Sequence, residues 1–191
     1  MNKKTLITKV DLRLIPKQFC WYTIVSAFNH EEVVVQNIKE KIIGTELEPL
    51  VHELYVPIKY TKDITKAKDG KPIYRIHKRK GALSSYVFIK CVLIEEIWNM
   101  IRTTAGVSII LSTGGVPAHT SDEKIKLLKK QQYMEGFTEE EERKMNEEYK
   151  KKYIISEENN DPQYIEEIIA KARTIKGWKG GAINELSTED S

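Results

Sequence analysis

The chain has 191 residues and a mass of 22.1 kDa, room for one domain of ordinary size and an appendage. Forty per cent apolar residues suffice for one modest core, while 31% charged residues and a mean hydropathy of −0.46 put much of the chain in water. The longest apolar runs fall far short of the roughly 20 residues a membrane-spanning helix needs, and no apolar stretch follows the N-terminal lysines, so neither a span nor a secretory signal is read and the expected compartment is cytoplasmic. Cys20 and Cys91, 71 positions apart among apolar neighbours, exclude a disulfide scaffold and a zinc knuckle.

The net charge of +3 conceals a division. Residues 1–132 carry 22 Lys and Arg against 13 Asp and Glu, whereas residues 133–191 carry 9 against 15. A basic body with an acidic tail points to a polyanionic partner for the body and a separate role for the tail.

Residues 1–19 read as a flexible or peripheral lead-in. Phe19–Ala27 alternates and is rich in aromatic and β-branched residues, which predicts a strand. Asn29 with Glu32 fits a capping box, and Val34, Val35, Ile38 and Ile42 recur at helical spacing until Gly44. Pro49 marks a loop; Leu54, Val56, Ile58 and Tyr60 then alternate as a second strand. Lys59–Lys80 follows as a hairpin, with Asp69-Gly70 as its turn. Tyr86–Leu93 is an apolar run broken only by Lys90, expected to be a central strand. Ile94, Ile97, Trp98 and Ile101 define an amphipathic helix that Gly106 ends, and Val107–Leu111 is a further strand. After a Gly114-Gly115 loop, Thr120 with Glu123 forms a capping box for a helix with Ile125 and Leu128 inward. The expected fold class is α+β: an antiparallel sheet flanked by helices, of the ferredoxin-like or RNA-recognition kind, over residues 20–132.

Residues 133–178 read as a charged helical extension. Thr138 with Glu141 is a third capping box, and Met145, Tyr149 and Tyr153 make a narrow stripe. Asp161-Pro162 opens a second helix whose face carries Ile165, Ile168, Ile169, Ala172 and Ile175 until Gly177. Residues 179–191 read as a disordered tail.

Catalytic patterns are missing. Gly114-Gly115 lacks the Lys-Ser/Thr of a phosphate loop, the four histidines are scattered, and Ser84-Ser85 sits in no nucleophile elbow, so no enzyme, cofactor or metal is expected. The hairpin is more telling: nine Lys and Arg stand between positions 59 and 80 against Asp63 and Asp69. Such a cluster is either a solvated hairpin or a phosphate-contacting one, with Lys78, Arg79 and Lys80 as candidate nucleic-acid contacts. Tyr86-Val-Phe88-Ile lacks the glycine partners of a base-stacking platform.

Three segments in order resemble the NusG family of transcription elongation factors. They are Trp21-Tyr22-Thr-Ile-Val-Ser-Ala27 with Glu31-Glu32 and Asn37-Ile38; Glu53-Leu-Tyr-Val56-Pro57; and Tyr86-Val87-Phe88-Ile89 with Trp98, Arg102-Thr103-Thr104 and Gly106-Val107. The first is similar to the family's opening W-Y-x-V strand, the second to its E-V-x-V-P strand, the third to its P-G-Y-V-x-V strand and following helix and turn. Together they cover residues 20–132, the extent of the NusG N-terminal (NGN) domain.

The resemblance implies a domain that docks on the β′ clamp helices of RNA polymerase, bridges toward the β subunit, and runs along the non-template DNA strand to shape pausing, termination or antitermination. By it, Trp21, Tyr22, Leu83 and Tyr86 are polymerase contacts, and Arg102, Thr103 and Thr104 lie at the non-template strand. A strand Trp or Tyr also buries well with no partner, and the threonines equally suit a helix C-terminal cap. The family's Pro-Gly before the central tyrosine is Ser84-Ser85 here. The family's second domain, a KOW barrel, has no match in residues 133–191; were one to follow, Rho or a ribosomal protein would be its partner. The runner-up function is an RNA-binding or ribosome-associated module using the hairpin at 59–80. For the acidic tail two roles stay open: a stabilising cover for the body, or a mask over the polymerase-facing surface.

Overall fold

A computed structural model describes residues 12–80, 83–132 and 136–174; the side chains of Arg79 and Lys80 lie outside the description. The elements run β1 (Cys20–Ser26), α1 (Glu31–Ile42), β2 (Val51–Tyr55), β3 (Ile58–Lys66), β4 (Pro72–Lys80), β5 (Tyr86–Cys91), α2 (Glu95–Arg102) and β6 (Val107–Ile110). Three two-residue strands follow, β7 (Ser112–Thr113), β8 (Val116–Pro117) and β9 (His119–Thr120), and then α3 (Asp122–Lys130), α4 (Glu139–Tyr153) and α5 (Pro162–Arg173). Ile175, Gly177 and the tail at 179–191 fall outside the described residues.

The main sheet is antiparallel in the order β2-β5-β1-β6, with β9 joining β1 beside β6. Alternation divides its side chains between two faces. Tyr22, Ile24, Val87 and Ile89 point to the face covered by α1 and α2, where Val34, Ile38, Ile42, Ile97 and Ile101 complete the main core. Trp21, Tyr55 and Phe88 point the other way, beneath Ile125 of α3. The α+β expectation is met.

α4 and α5 pack on this body. Ile165, Ile168, Ile169 and Ala172 of α5 join the main core, as do Ile15 and Phe19 ahead of β1, and Lys17 pairs with Glu166 at 2.6 Å. Residues 154–156 close the outer edge of β2: Ile154 bridges to Glu53, the Ile155 N–H donates to His52 O at 2.8 Å, and Ser156 Oγ donates to Val51 O at 2.8 Å. An edge strand that would otherwise present free backbone groups is thereby paired.

Several local expectations are corrected. Helix α1 begins at Glu31 behind His30, not at Asn29, whose φ is +62°; Glu32 is drawn into other bonds and forms no capping box. The cap of α3 is Ser121, whose Oγ accepts from the Lys124 N–H at 3.3 Å, because Thr120 is still paired with β1 and shares a hydrogen bond with Thr23. The alternation from Leu54 to Tyr60 is two strands rather than one, parted at Val56-Pro57, where the proline supplies no N–H for a ladder. Gly114-Gly115, both at positive φ, is the two-residue turn of the small β7–β8 hairpin rather than an open loop. The capping box of Thr138 and Glu141 and the Asp161 cap before Pro162 form as expected.

Glu32 ties three elements together. Its carboxylate accepts from Tyr153 Oη of α4 at 2.8 Å and from Lys78 Nζ of β4 at 2.5 Å, and pairs with Lys152. Burial alone would raise its pKa, but the hydrogen bonds from Lys152, Lys78 and Tyr153 outweigh burial and hold it below its ordinary 4.5. A lowered folded-state pKa contributes stability that is complete above the unfolded value, near pH 4.5, and is lost as pH falls through the folded one. Unfolding free energy measured from pH 6 to pH 2 should therefore fall more steeply in the parent chain than in Glu32→Gln. Superimposable acid limbs would deny Glu32 this linkage.

Candidate functional site

The sheet face opposite the main core is covered at one end and open at the other. At the covered end Trp21 is 3% exposed; its indole Nε1 donates to Asp122 Oδ1 at 3.1 Å, and Lys90 on the neighbouring strand binds the same oxygen at 3.1 Å. Lys90 also reaches Glu158 at 2.7 Å, so the loop after α4 is anchored to this face. Burial would lower the pKa of Lys90, but its two carboxylate partners raise it.

Beside Trp21 lies a buried carboxylate, Glu53. It accepts from Lys129 Nζ of α3 at 2.6 Å and from the Tyr149 hydroxyl of α4. The Lys129 ammonium sits 5.3–5.6 Å from the ring centres of Trp21, Tyr55 and Tyr149, so the cation is held by one carboxylate and three π faces. Burial and the Glu53 charge both push the Tyr149 phenol far up, so it stays a proton donor.

At the open end stand Leu83, Tyr86 and Val25, all half-buried, and Ile109, which is 54% exposed. Val25 pairs with Tyr86 on one side and with Ile109 on the other, so three apolar side chains line up across β5, β1 and β6. Leu83 also borders a groove of about 180 Å³ with Val56, Pro57 and Ile58 on its walls.

The turn that leads into Tyr86 is held tightly. Ser85 has a φ of +72°, and the Tyr86 N–H donates to Leu83 O at 3.2 Å. Buried Glu31 accepts the Ser85 N–H at 2.7 Å, and Ser85 O accepts from the Ser26 N–H at 2.8 Å. Serine thus occupies the left-handed position that a glycine would take in a Pro-Gly turn.

The residues singled out from sequence do not converge on one surface. Trp21, Leu83 and Tyr86 share a sheet face, whereas Tyr22, 1% exposed, is in the main core on the other. Lys78 is in the β3–β4 hairpin, its ammonium on Glu32; Arg79 and Lys80 stand in register with Lys59 and Ile58. At the end of α2, Arg102 is exposed and bonds Asn99, while the hydroxyls of Thr103 and of Thr104, 3% exposed, donate to the Met100 carbonyl. Lys41 of α1 binds Thr103 O, so the Lys78 and Thr103 sites lie at opposite ends of α1, about 13 Å apart along its axis. Sequence reasoning missed Ile109, Val25 and Lys129; the cross-strand pairing that assembles them has no local signature. Among the described residues no group of three His, Cys, Asp or Glu could hold a metal, and no helix is long and apolar enough to cross a membrane.

The antiparallel sheet is thus two-faced, one face closed by α1 and α2 and the other only partly covered by α3 among the described residues. Residues 19–129 match the model of the family described as transcription termination factor NusG, and the chain belongs to that family. It is 29% identical over 119 residues to the transcription termination/antitermination protein NusG of Streptomyces virginiae, covering 62% of this chain and 37% of that protein. The NusG of Staphylococcus aureus strain Mu50 is 22% identical over 114 residues, covering 58% of this chain and 59% of that one. A solved structure described as domain interaction in Thermotoga maritima NusG aligns with a TM-score of 0.45 at 23% identity, over 58% of this chain and 55% of that one. The chain thus spans between about a third and three fifths of the length of these relatives.

The turn yields a stability test. A non-glycine residue in the left-handed region costs about 1–2 kcal/mol, and glycine returns about 0.5–1 kcal/mol of that through its freer unfolded state. Ser85→Gly should stabilise the protein by about 0.5–1 kcal/mol in urea unfolding, with Ser85→Ala giving no gain. A destabilised Ser85→Gly would mean that the side chain, not the backbone, holds this turn.

Proposed function

We propose that this protein is a transcription elongation factor of termination or antitermination type, docking on the β′ clamp helices of RNA polymerase through the open end of its sheet. The observation that carries the reading is the row of Val25, Tyr86 and Ile109 with Leu83 beside it: an apolar strip left uncovered on a face otherwise roofed by α3 and Tyr149. Leu83 and Tyr86 make the contact in this reading. Trp21 supports them from beneath α3, and Tyr22 acts through the core behind. From this seat the domain bridges toward the β subunit, with Arg102 and Thr103 at the non-template DNA and Thr104 fixing the end of α2. The work is binding, not catalysis, and takes place in the cytoplasm. Recruitment of Rho or a ribosomal protein belongs to a KOW domain and is not assigned to α4 or α5.

Tyr86→Ala should weaken binding to core polymerase by about 2 kcal/mol or more, roughly a 30-fold rise in Kd, with the melting temperature showing that the variant is folded. Normal affinity in a folded variant would remove Tyr86 from the contact. The basic hairpin favours a second reading, an RNA-binding or ribosome-associated module. Co-purification with polymerase from nuclease-treated lysate separates the two, since a module held by RNA falls away.

The helices α4 and α5 are assigned a structural role, because Tyr149 and Tyr153 dock beside β2 and α1 and, among the described residues, leave the Tyr86 end open. Each phenol binds a carboxylate that keeps a lysine partner, Lys129 or Lys78. The double variant Tyr149→Phe, Tyr153→Phe should lose about 1–3 kcal/mol of stability and bind polymerase as the parent does. Tighter binding on loosening these contacts would instead make the tail a mask.

A further inference from the structure

The β3–β4 hairpin is a two-stranded ribbon in a sheet of its own, nine residue pairs from Ile58↔Lys80 to Lys66↔Pro72. Its two faces differ. One row turns inward at its base: Ile58 is buried, Tyr60 packs on the main core, and Lys62, whose side chain is 6% exposed, binds Glu141 at 2.6 Å. Lys78, opposite Tyr60, binds Glu32 at 2.5 Å. Lys62 and Lys78, the two cations of this row nearest the body whose side chains are described, are neutralised within the molecule.

The remaining described cations are different. Lys59 and Arg75 belong to the opposite row and are exposed; Lys66, Lys68 and Lys71 surround the turn and are exposed as well. Lys59, Lys66, Lys68 and Arg75 have no acidic partner among the described residues, and Lys71 has only Asp69 at 3.6 Å, with its own side chain 82% exposed. From Lys59 to Lys66 the strand rises about 23 Å. Four cations without an acidic partner among the described residues, and Lys71 with only an exposed one, are therefore strung along the ribbon, while Lys62 and Lys78 are tied down.

We propose that the outer row and tip of this ribbon form a sequence-independent binding site for double-stranded DNA, the ribbon lying in the major groove with Lys59, Lys66, Lys68, Lys71 and Arg75 on flanking phosphates. Two strands about 4.8 Å apart with their side chains match a groove about 12 Å wide, which admits a two-stranded ribbon. The deep, narrow major groove of double-stranded RNA does not. The outer row offers no Asn or Gln to pair with adenine, and its cations are placed on the phosphate backbone, which carries no sequence information. This inference rests on the reading of the chain as a factor acting on transcribed DNA, but not on where it touches polymerase.

The test uses the full chain and naked DNA, so it succeeds or fails independently of the Tyr86 experiment. Fluorescence anisotropy with a labelled 25-base-pair duplex, between 50 and 200 mM salt, should give a log–log slope near −4.5 for five phosphate contacts, an affinity loss of roughly 500-fold over that range. Changing all five residues to Gln should abolish that dependence and bring binding to background, with an unchanged melting temperature because all five are exposed. Lys78→Gln, which removes an inward cation, should keep the full slope. Three results would overturn the proposal: a double-stranded RNA of the same length binding as tightly, a slope insensitive to the five changes, or Lys78→Gln flattening it by as much as a single outer cation would, about 0.9.

Discussion

Pairing of β1 along both of its edges, with β5 on one side and with β6 and β9 on the other, sets the constraint to which the rest of the molecule responds. A strand with no free edge holds its alternate side chains on two opposed faces, and each face must find its own cover. Tyr22 and Ile24 are answered by two amphipathic helices. Trp21 is answered by a single helix, α3, which reaches only part of the second face. The apolar strip around Tyr86 exists because, among the described residues, that cover runs out, and it is this strip that the proposed docking uses.

Three glutamates do the joining. Burying a carboxylate, wholly as at Glu31 and Glu53 or partly as at Glu32, is costly without a partner, so each fixes whatever supplies its donors. Glu31 holds the Ser85 turn, Glu32 gathers the hairpin, α1 and α4, and Glu53 gathers α3 and α4. The site and the tail are linked through these acids: the turn that presents Tyr86 and the anchor of α4 hang from adjacent residues of one helix.

Much of this was legible in the chain. The order of strands and helices followed from hydrophobic periodicity, and the caps at Thr138 and Asp161 from their local spacing. What periodicity could not supply was long-range pairing. It did not show that Cys20 and Cys91 stand directly opposite each other, nor that Val56-Pro57 hands the chain from one sheet to another. Burial of the polar and aromatic candidates was hidden for the same reason. Trp21, Tyr22 and Thr104 carry the right chemistry for a surface contact, and only the tertiary fold shows them covered. Charge was the most misleading signal. Lys62 and Lys78 look like members of a basic cluster until Glu141 and Glu32, remote in sequence, are placed against them.

The closing of β2 by residues 154–156, and of the core by α5, has a consequence for synthesis on the ribosome. All strands of the sheet up to β5 exist once Cys91 is made, yet Ala172, the last core residue among those described, comes 81 positions later. At roughly 5–20 residues per second the nascent sheet waits about 3–13 seconds for residues 154–156 to pair its outer strand and about 4–16 seconds for α5 to complete the core. During that interval the earliest protection comes from within the body, as Lys129 reaches Glu53 at the edge before Tyr149 has been translated. A codon-level pause between α3 and α4 would lengthen the exposure of that edge, and with it the window for pairing with a second nascent chain on the same messenger.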